Sequence, residues 1–254
     1  MKDAGETRVE GGPRLKPVKS YRDPKFINSK EARALRILAE YLEPKARLDA
    51  NAVADTIVFF GSARFAQDSP WCLAAHKLAF RLTQWSKGLD KEKQRFVVCT
   101  GGGPGIMEAA NRGASEAKGL NVGLSIALPR EEAANPHITR ELLFHFHYFF
   151  MRKFWLAYMA KAMIVFPGGF GTFDELFEVL TLVQTKKMTK PMPVVLFGTE
   201  YWNDVVNMDA MVRHGTISPE DVKLVYRTDS VDDAYEWVVP LLAKYALENP
   251  GATL

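Results

Sequence analysis

The stretch Ala162-Met-Ile-Val-Phe-Pro-Gly-Gly-Phe-Gly-Thr-Phe-Asp-Glu-Leu-Phe-Glu-Val-Leu180 leaves few folds open to the chain that contains it. Met163 to Phe166 is a run of large apolar residues without alternation, the pattern of a strand buried on both faces of a parallel sheet. Pro167 ends the run. Gly168, Gly169 and Gly171 then let a ligand approach the backbone, and Thr172 offers a hydroxyl where a helix begins. Beyond the turn Phe173, Leu176, Phe177, Leu180 and Val183 fall on one stripe, which predicts the face that packs on the sheet. Asp174 and Glu175 lie at the ligand end. Strand, glycine turn and helix in this order place free N–H groups and a positive dipole end where an anion, most often a phosphate, binds. Alone, the same residues also suit a tight turn whose two carboxylates merely complement the helix dipole.

A second turn of the same kind argues for the ligand. Arg95-Phe-Val-Val-Cys99 reads as a strand, Thr100-Gly-Gly-Gly-Pro-Gly105 as its turn, and the small residues Ala109, Ala110, Ala114 and Ala117 as a helix able to approach the sheet closely. Upstream, Thr56-Ile-Val-Phe-Phe60 is a first buried strand, and Gly61-Ser-Ala-Arg64 is the loop at its C-terminal end, where open α/β sheets hold their ligands. Two such glycine turns in one domain imply one polyanionic ligand held between them. Neither glycine turn is a dinucleotide or triphosphate fingerprint: Ile106 stands where a third glycine belongs, and no Gly-Lys-Ser/Thr occurs.

The remaining pattern alternates helices with strands. A helix capped by Ser29 is expected to run to about Leu42, presenting Ala34, Leu35, Leu38, Tyr41 and Leu42 and ending before Pro44. Further helices are predicted over about 69–86, 148–160, 200–213 and from Ser230 onward. Strands are predicted at 121–127, 141–146, 193–197 and 224–226, with a polar loop over 129–139. The class is α/β: a Rossmann-like doubly wound parallel sheet with helices on both faces. Residues 1–50 form an N-terminal extension, partly disordered with one helix, and 51–254 form the domain.

Charge narrows the partners. Lys and Arg number 33 against 30 acidic residues, but residues 1–50 carry a net of +4 and the rest −1. The expected body is no basic nucleic-acid surface. Cys72 and Cys99 form no CxxC pattern, and no apolar leader or 18-residue apolar segment occurs, so a soluble, cytoplasmic protein without membrane contact is expected. His145 and His147 share a strand face without a third ligand at a recognisable spacing, so no metal site is assigned. The predicted helix around Phe150, Phe154 and Trp155 also bears Arg152 and Lys153, a charged pair in aromatic surroundings that calls for an anion nearby, either a ligand or a surface carboxylate.

Thr100-Gly-Gly-Gly-Pro-Gly-Ile-Met-Glu-Ala-Ala-Asn-Arg-Gly-Ala114, the Arg152-Lys153 pair and Pro167-Gly-Gly-Phe-Gly-Thr-Phe-Asp-Glu175 together resemble the LOG (LONELY GUY) family over about residues 50–245. Its members are Rossmann-like phosphoribohydrolases of cytokinin riboside 5′-monophosphates and AMP, often labelled lysine decarboxylases. The resemblance implies that Arg152 and Glu175 are the catalytic pair. It implies nucleotide contacts at Lys153, Gly169, Phe170, Gly171, Thr172, Phe173, Asp174 and Thr181, with Glu131 the looser match, and first and second ligand loops at Ser62 and at Gly101, Gly102 and Gly103. It further implies a homodimer or larger assembly and no cofactor. Phe149-Phe150 stands where plant-like members have Met-His, and the first 50 residues have no counterpart in short members; both bear on base specificity.

The chemistry agrees independently. Cleaving the N-glycosidic bond of a nucleoside 5′-monophosphate needs a phosphate anchor and a carboxylate beside a developing oxocarbenium ion. The glycine loops supply the first and Glu175 the second, while Arg152 either holds the phosphate or orients Glu175. A pyridoxal phosphate decarboxylase needs a Schiff-base lysine, and no lysine in the sequence is singled out for it. The competing class is a nucleotide-binding sensor or carrier, which would keep the loops but has no use for an acid at the ribose.

Overall fold

A computed structural model describes residues 17–90, 92–126 and 133–251. The chain divides into two units, Met1–Ala39 and Glu40–Leu254. In the first, α1 (Pro24–Ile27) is capped by the Asp23 carboxylate, and Arg36 donates to the carbonyls of Ile27 and Ser29 at 2.6 and 2.7 Å. The division falls before residue 50 because residues 40–50 pack on the body. Of the N-terminal extension expected to be partly disordered, residues 1–16 lie outside the described residues.

The second helix corrects the reading around Pro44. It runs from Arg33 to Ala50 (α2) with Pro44 inside it, and Ser29 does not cap it. Proline removes the N–H that would bond the carbonyl four residues back, here that of Glu40. The indole Nε1–H of Trp155 donates to that carbonyl at 3.0 Å and satisfies it. The apolar face expected of this helix is also not its buried one: Leu35, Leu38 and Leu42 are exposed, and Pro44 and Leu48 are buried.

Seven parallel strands form one sheet in the order β4-β3-β2-β1-β5-β6-β7. They are β1 (Thr56–Phe60), β2 (Val97–Thr100), β3 (Asn121–Ile126), β4 (Leu143–Phe146), β5 (Ala160–Val165), β6 (Val194–Phe197) and β7 (Val225–Thr228). Between and after them run α3 (Pro70–Ser86), α4 (Ile106–Glu116), α5 (Phe149–Met159), α6 (Phe170–Gln184), α7 (Thr199–Val205), α8 (Met208–Arg213) and α9 (Val231–Tyr245). Right-handed crossovers in a sheet whose order turns at β1 and β5 put the connections of its two halves on opposite faces. On one of them α3 packs against both α4 and α9, closing a core of Ile57, Phe59, Leu78, Leu82, Ile164 and Val238. The doubly wound reading stands, and the C-terminal ends of β1, β2 and β5 meet at the turn in strand order.

Three further elements differ from their predicted form. The helix expected over 200–213 is two, because Val206 is extended and the Asn207 side chain starts a new helix by accepting from the N–H of Ala210. Strand β5 begins at Ala160 directly after α5, three residues before the predicted start at Met163, so Lys161 sits in the sheet. It is the bulged residue, since Thr56 pairs with Ala160 and Ile57 with Ala162. The buried stripe of α6 is Thr172, Glu175, Leu176 and Val179, not the one through Phe173 and Leu180. The helix is thus turned to bring Glu175 inward.

Candidate active site

Three loops at the C-terminal sheet edge are knitted together through Ser62. Its N–H donates to the Pro167 carbonyl at 2.9 Å, and its own carbonyl accepts from the N–H of Ile106 at 3.1 Å. Gly105, at φ +65°, lies so close that a Cβ there would strike the Ser62 carbonyl oxygen. Gly168 meets the side chain of Thr172 in the same way. The loops enclose a cleft of about 850 Å³. Ser62, Gly101, Arg152 and the run Gly169 to Phe173 all line it, along with Arg64, Met107, Tyr201 and Val205.

The second glycine loop is held from behind. The Gly102 N–H donates to the Thr100 hydroxyl at 3.0 Å, and the Asn135 amide donates to the carbonyls of Gly102 and Gly103 and to Asn111 Oδ1 at 3.2, 3.1 and 3.0 Å. Asn111 in turn accepts from Thr100 and donates to Asn121. Gly102 and Gly103 do not line the cleft; Gly101 does. A buried polar network of this kind is worth keeping only when every member is satisfied. Its sequence signal was an asparagine among the small residues of α4, on the face that packs inward.

Arg152 and Glu175, from α5 and α6, meet at 2.8 Å, Nη2 to Oε1. Glu175 is only 3% exposed. Burial pushes its carboxyl above the usual range, and the charge and hydrogen bond of Arg152 oppose that without reversing it. The guanidinium also lies 4.7 Å from the Phe149 ring centroid, and its Nε–H is buried without a protein partner, a donor free for a ligand. A Cβ added at Gly101 would come within 4.0 Å of Arg152 Nη1, so the second glycine loop adjoins the guanidinium.

Lys153, Asp174 and Thr181 lie apart from this cleft. With Phe177, Glu178 and Leu182 they line a groove of about 450 Å³ that shares Phe170 and Phe173 with it. Lys153 bonds Asp174 at 2.8 Å and Glu178 at 3.0 Å; burial alone would lower its ammonium pKa, and these two bonds leave it raised. The anions that Lys153 meets here are thus these two carboxylates, both partly exposed. Thr181 spends its hydroxyl on the Phe177 carbonyl. Phe170, 95% exposed, stands between cleft and groove. Glu131 lies outside the described residues.

The histidines and lysines resolve differently. His145 Nδ1 faces the Ser125 hydroxyl at 2.9 Å, and no group of three metal-ligating side chains occurs among the described residues. One lysine is in fact singled out: burial brings Lys190 down to about 7. Its ammonium donates to the carbonyls of Ala157 and Tyr158 at 3.0 and 2.8 Å, at the opposite sheet edge from the glycine loops. Among the described residues no helix is long and apolar enough to cross a membrane.

A family model described as possible lysine decarboxylase matches residues 107–238. Among curated proteins, a probable cytokinin riboside 5′-monophosphate phosphoribohydrolase of Oryza sativa subsp. japonica is 28% identical over 178 residues, 69% of this chain and 68% of that one. An Arabidopsis thaliana cytokinin riboside 5′-monophosphate phosphoribohydrolase is 30% identical over 132 residues, 50% of this chain and 58% of its own length. One from Rhodococcoides fascians is 29% identical, covering 52% and 67%. Two solved structures share the fold: a molybdenum cofactor binding protein of Rippkaea orientalis at 19% identity and TM-score 0.53, covering 74% of this chain and 98% of that one, and the molybdenum cofactor carrier protein of Chlamydomonas reinhardtii at 22% and 0.51, covering 74% and 99%.

Proposed function

The chain belongs to the LOG family, and on that premise we propose that it hydrolyses the N-glycosidic bond of an adenine-type nucleoside 5′-monophosphate, the base being adenine or an N6-substituted adenine. The observation that carries the reading is the Arg152–Glu175 pair, whose arginine lines a cleft that the glycine loops also line while the carboxylate is buried behind it. The 5′-phosphate rests on Gly169 to Gly171, where the start of α6 offers N–H groups and its dipole. The ribose then lies over Glu175. As the bond from C1′ to the base nitrogen breaks, positive charge grows on the sugar, and the Glu175 carboxylate opposes it or takes a proton from the attacking water. Water adds to C1′, the base leaves with a proton, and base and ribose 5-phosphate are the products. Arg152 aims Glu175, and its free Nε–H is available to the substrate.

The test is release of free base from AMP and from an N6-prenylated AMP, with adenosine as the control. Phosphate binding should be used in the transition state, so the nucleotides should turn over much faster than the nucleoside. Equal turnover of AMP and adenosine would sink the reading, and tight AMP binding with no base released would make the protein a carrier. We also propose a homo-oligomer of at least two chains, on the family resemblance and on the exposed rings of Phe149, Phe150 and Phe170, of which Phe170 lines the cleft. A monomer by light scattering at micromolar concentration would rule that out.

A further inference from the structure

Helix α5 carries two cations close to its start, Arg152 and Lys153, and no acidic residue in its first turn. Positive side chains there face the positive end of the helix dipole. Nor does its own capping residue help: Tyr148 makes no side-chain cap, and its hydroxyl is buried without a partner. The compensating anion comes from over a hundred residues away. Glu40 Oε1 accepts the N–H of His147 at 2.8 Å, and Oε2 accepts that of Tyr148 at 3.1 Å.

We propose that Glu40 is a positioning residue for the reaction: it caps the start of α5 and so sets the angle at which Arg152 meets Glu175. The inference rests on the proposed hydrolysis. Glu40 is fitted to the task twice over. Pro44 leaves the Glu40 carbonyl without a helical donor, and Trp155, one turn beyond Arg152, donates to it. The Tyr41 ring stacks on Trp155, centroids 5.6 Å apart, and closes the joint. One residue thus grips α5 before and after Arg152. It lies outside the 107–238 span that the family model matches, so this chain supplies the cap from its N-terminal side.

A second contact of α2 provides the control. Arg47 donates to the carbonyls of Glu141 and Leu143 at 2.9 and 2.8 Å and covers the Phe144 ring, holding α2 to the edge strand rather than to α5. In the full chain, Glu40→Gln keeps the side chain's size but loses its charge and one acceptor. It should lower kcat for AMP about 10-fold with KM little changed, as expected for a small misplacement of a reacting group. Arg47→Ala should lower Tm at least as much and leave kcat as it was. A readout independent of turnover is the Glu175 carboxyl followed by 13C NMR titration. Its pKa should rise in Glu40→Gln, because Arg152 pairs with it less well, and stay put in Arg47→Ala. Unchanged kcat and titration in Glu40→Gln would overturn the proposal, as would an equal loss of kcat in both variants. If the wild type released no base from AMP, the proposed function would fall while the titration would still decide the role of Glu40.

Discussion

Glu175 is both buried and paired, and the two conditions pull its ionisation in opposite directions. Burial wins, so its carboxyl titrates above the ordinary range. If the charged form is the one that works, kcat/KM falls as pH drops through that raised value, and the acid limb lies above pH 4.5. Arg152→Gln removes the opposing charge, so the limb should move to still higher pH in a rate profile; a limb that stays in place would show that the limiting group is not Glu175. Glu175→Gln keeps the shape and loses the charge. Base release should fall by about 10²-fold or more with AMP affinity by calorimetry changed far less, because the interaction matters chiefly in the transition state. Asp174→Asn should do less, since Asp174 is on the groove side and bonded to Lys153. Retained turnover in Glu175→Gln would reduce that residue to a structural partner of Arg152.

At the scale of elements, the glycine loops depend on what stands behind them. Asn135 presents its amide to three oxygens, those of Gly102, Gly103 and Asn111. Asn135→Asp would set a carboxylate against those acceptors at neutral pH, and the cost of an unmade buried hydrogen bond predicts roughly 10-fold weaker AMP binding. Protonation restores one donor. The ratio of variant to wild-type Kd should therefore shrink between pH 8 and pH 5, and a ratio independent of pH would mean that Asn135 fills space only. The positions of the strands along the chain and of the glycine loops were legible in the sequence, because an apolar run ending in glycines is a local pattern. The rotation of α6 was not: apolar residues on two stripes compete, and the bond to Arg152 of α5 decides that Glu175 is on the inner one.

Over the whole molecule, charge is buried at the sheet edge opposite the site as well. Asp55 accepts from Arg95 Nε and the Phe96 N–H, while Arg95 also reaches the carbonyls of Ala246 and Leu247 after α9. Burial raises the Asp55 carboxyl despite the arginine and lowers the bulged Lys161 beside it. Lys190 is the member that titrates near neutrality, at about 7 against 10.5 for a free lysine. Above pH 7 the unfolded chain holds a proton there that the folded chain has lost, so this group makes stability rise with pH from 7 toward 10. Its largest contribution is about 3–5 °C in Tm per pH unit, from one proton's linkage in a domain of this size. Lys190→Met removes it: the wild-type Tm should gain on the variant between pH 7 and 9, and parallel profiles would refute the assignment.

Local pattern by itself determined the α/β class, the strands, the helix starts at Ser69 and Ser230, and the two glycine turns, because each depends on neighbours within about four residues. Tertiary structure alone decided the rest: that α2 continues through Pro44 because Trp155 supplies the missing donor, that Lys161 bulges into the sheet, that Lys153 turns to Asp174 and Glu178 while Arg152 turns to Glu175, and that Glu40 caps α5. Each of these pairs a group with a partner 21 to 115 residues away, and whether a proline, a buried charge or an uncapped helix is tolerable depends on that partner, which no local pattern records.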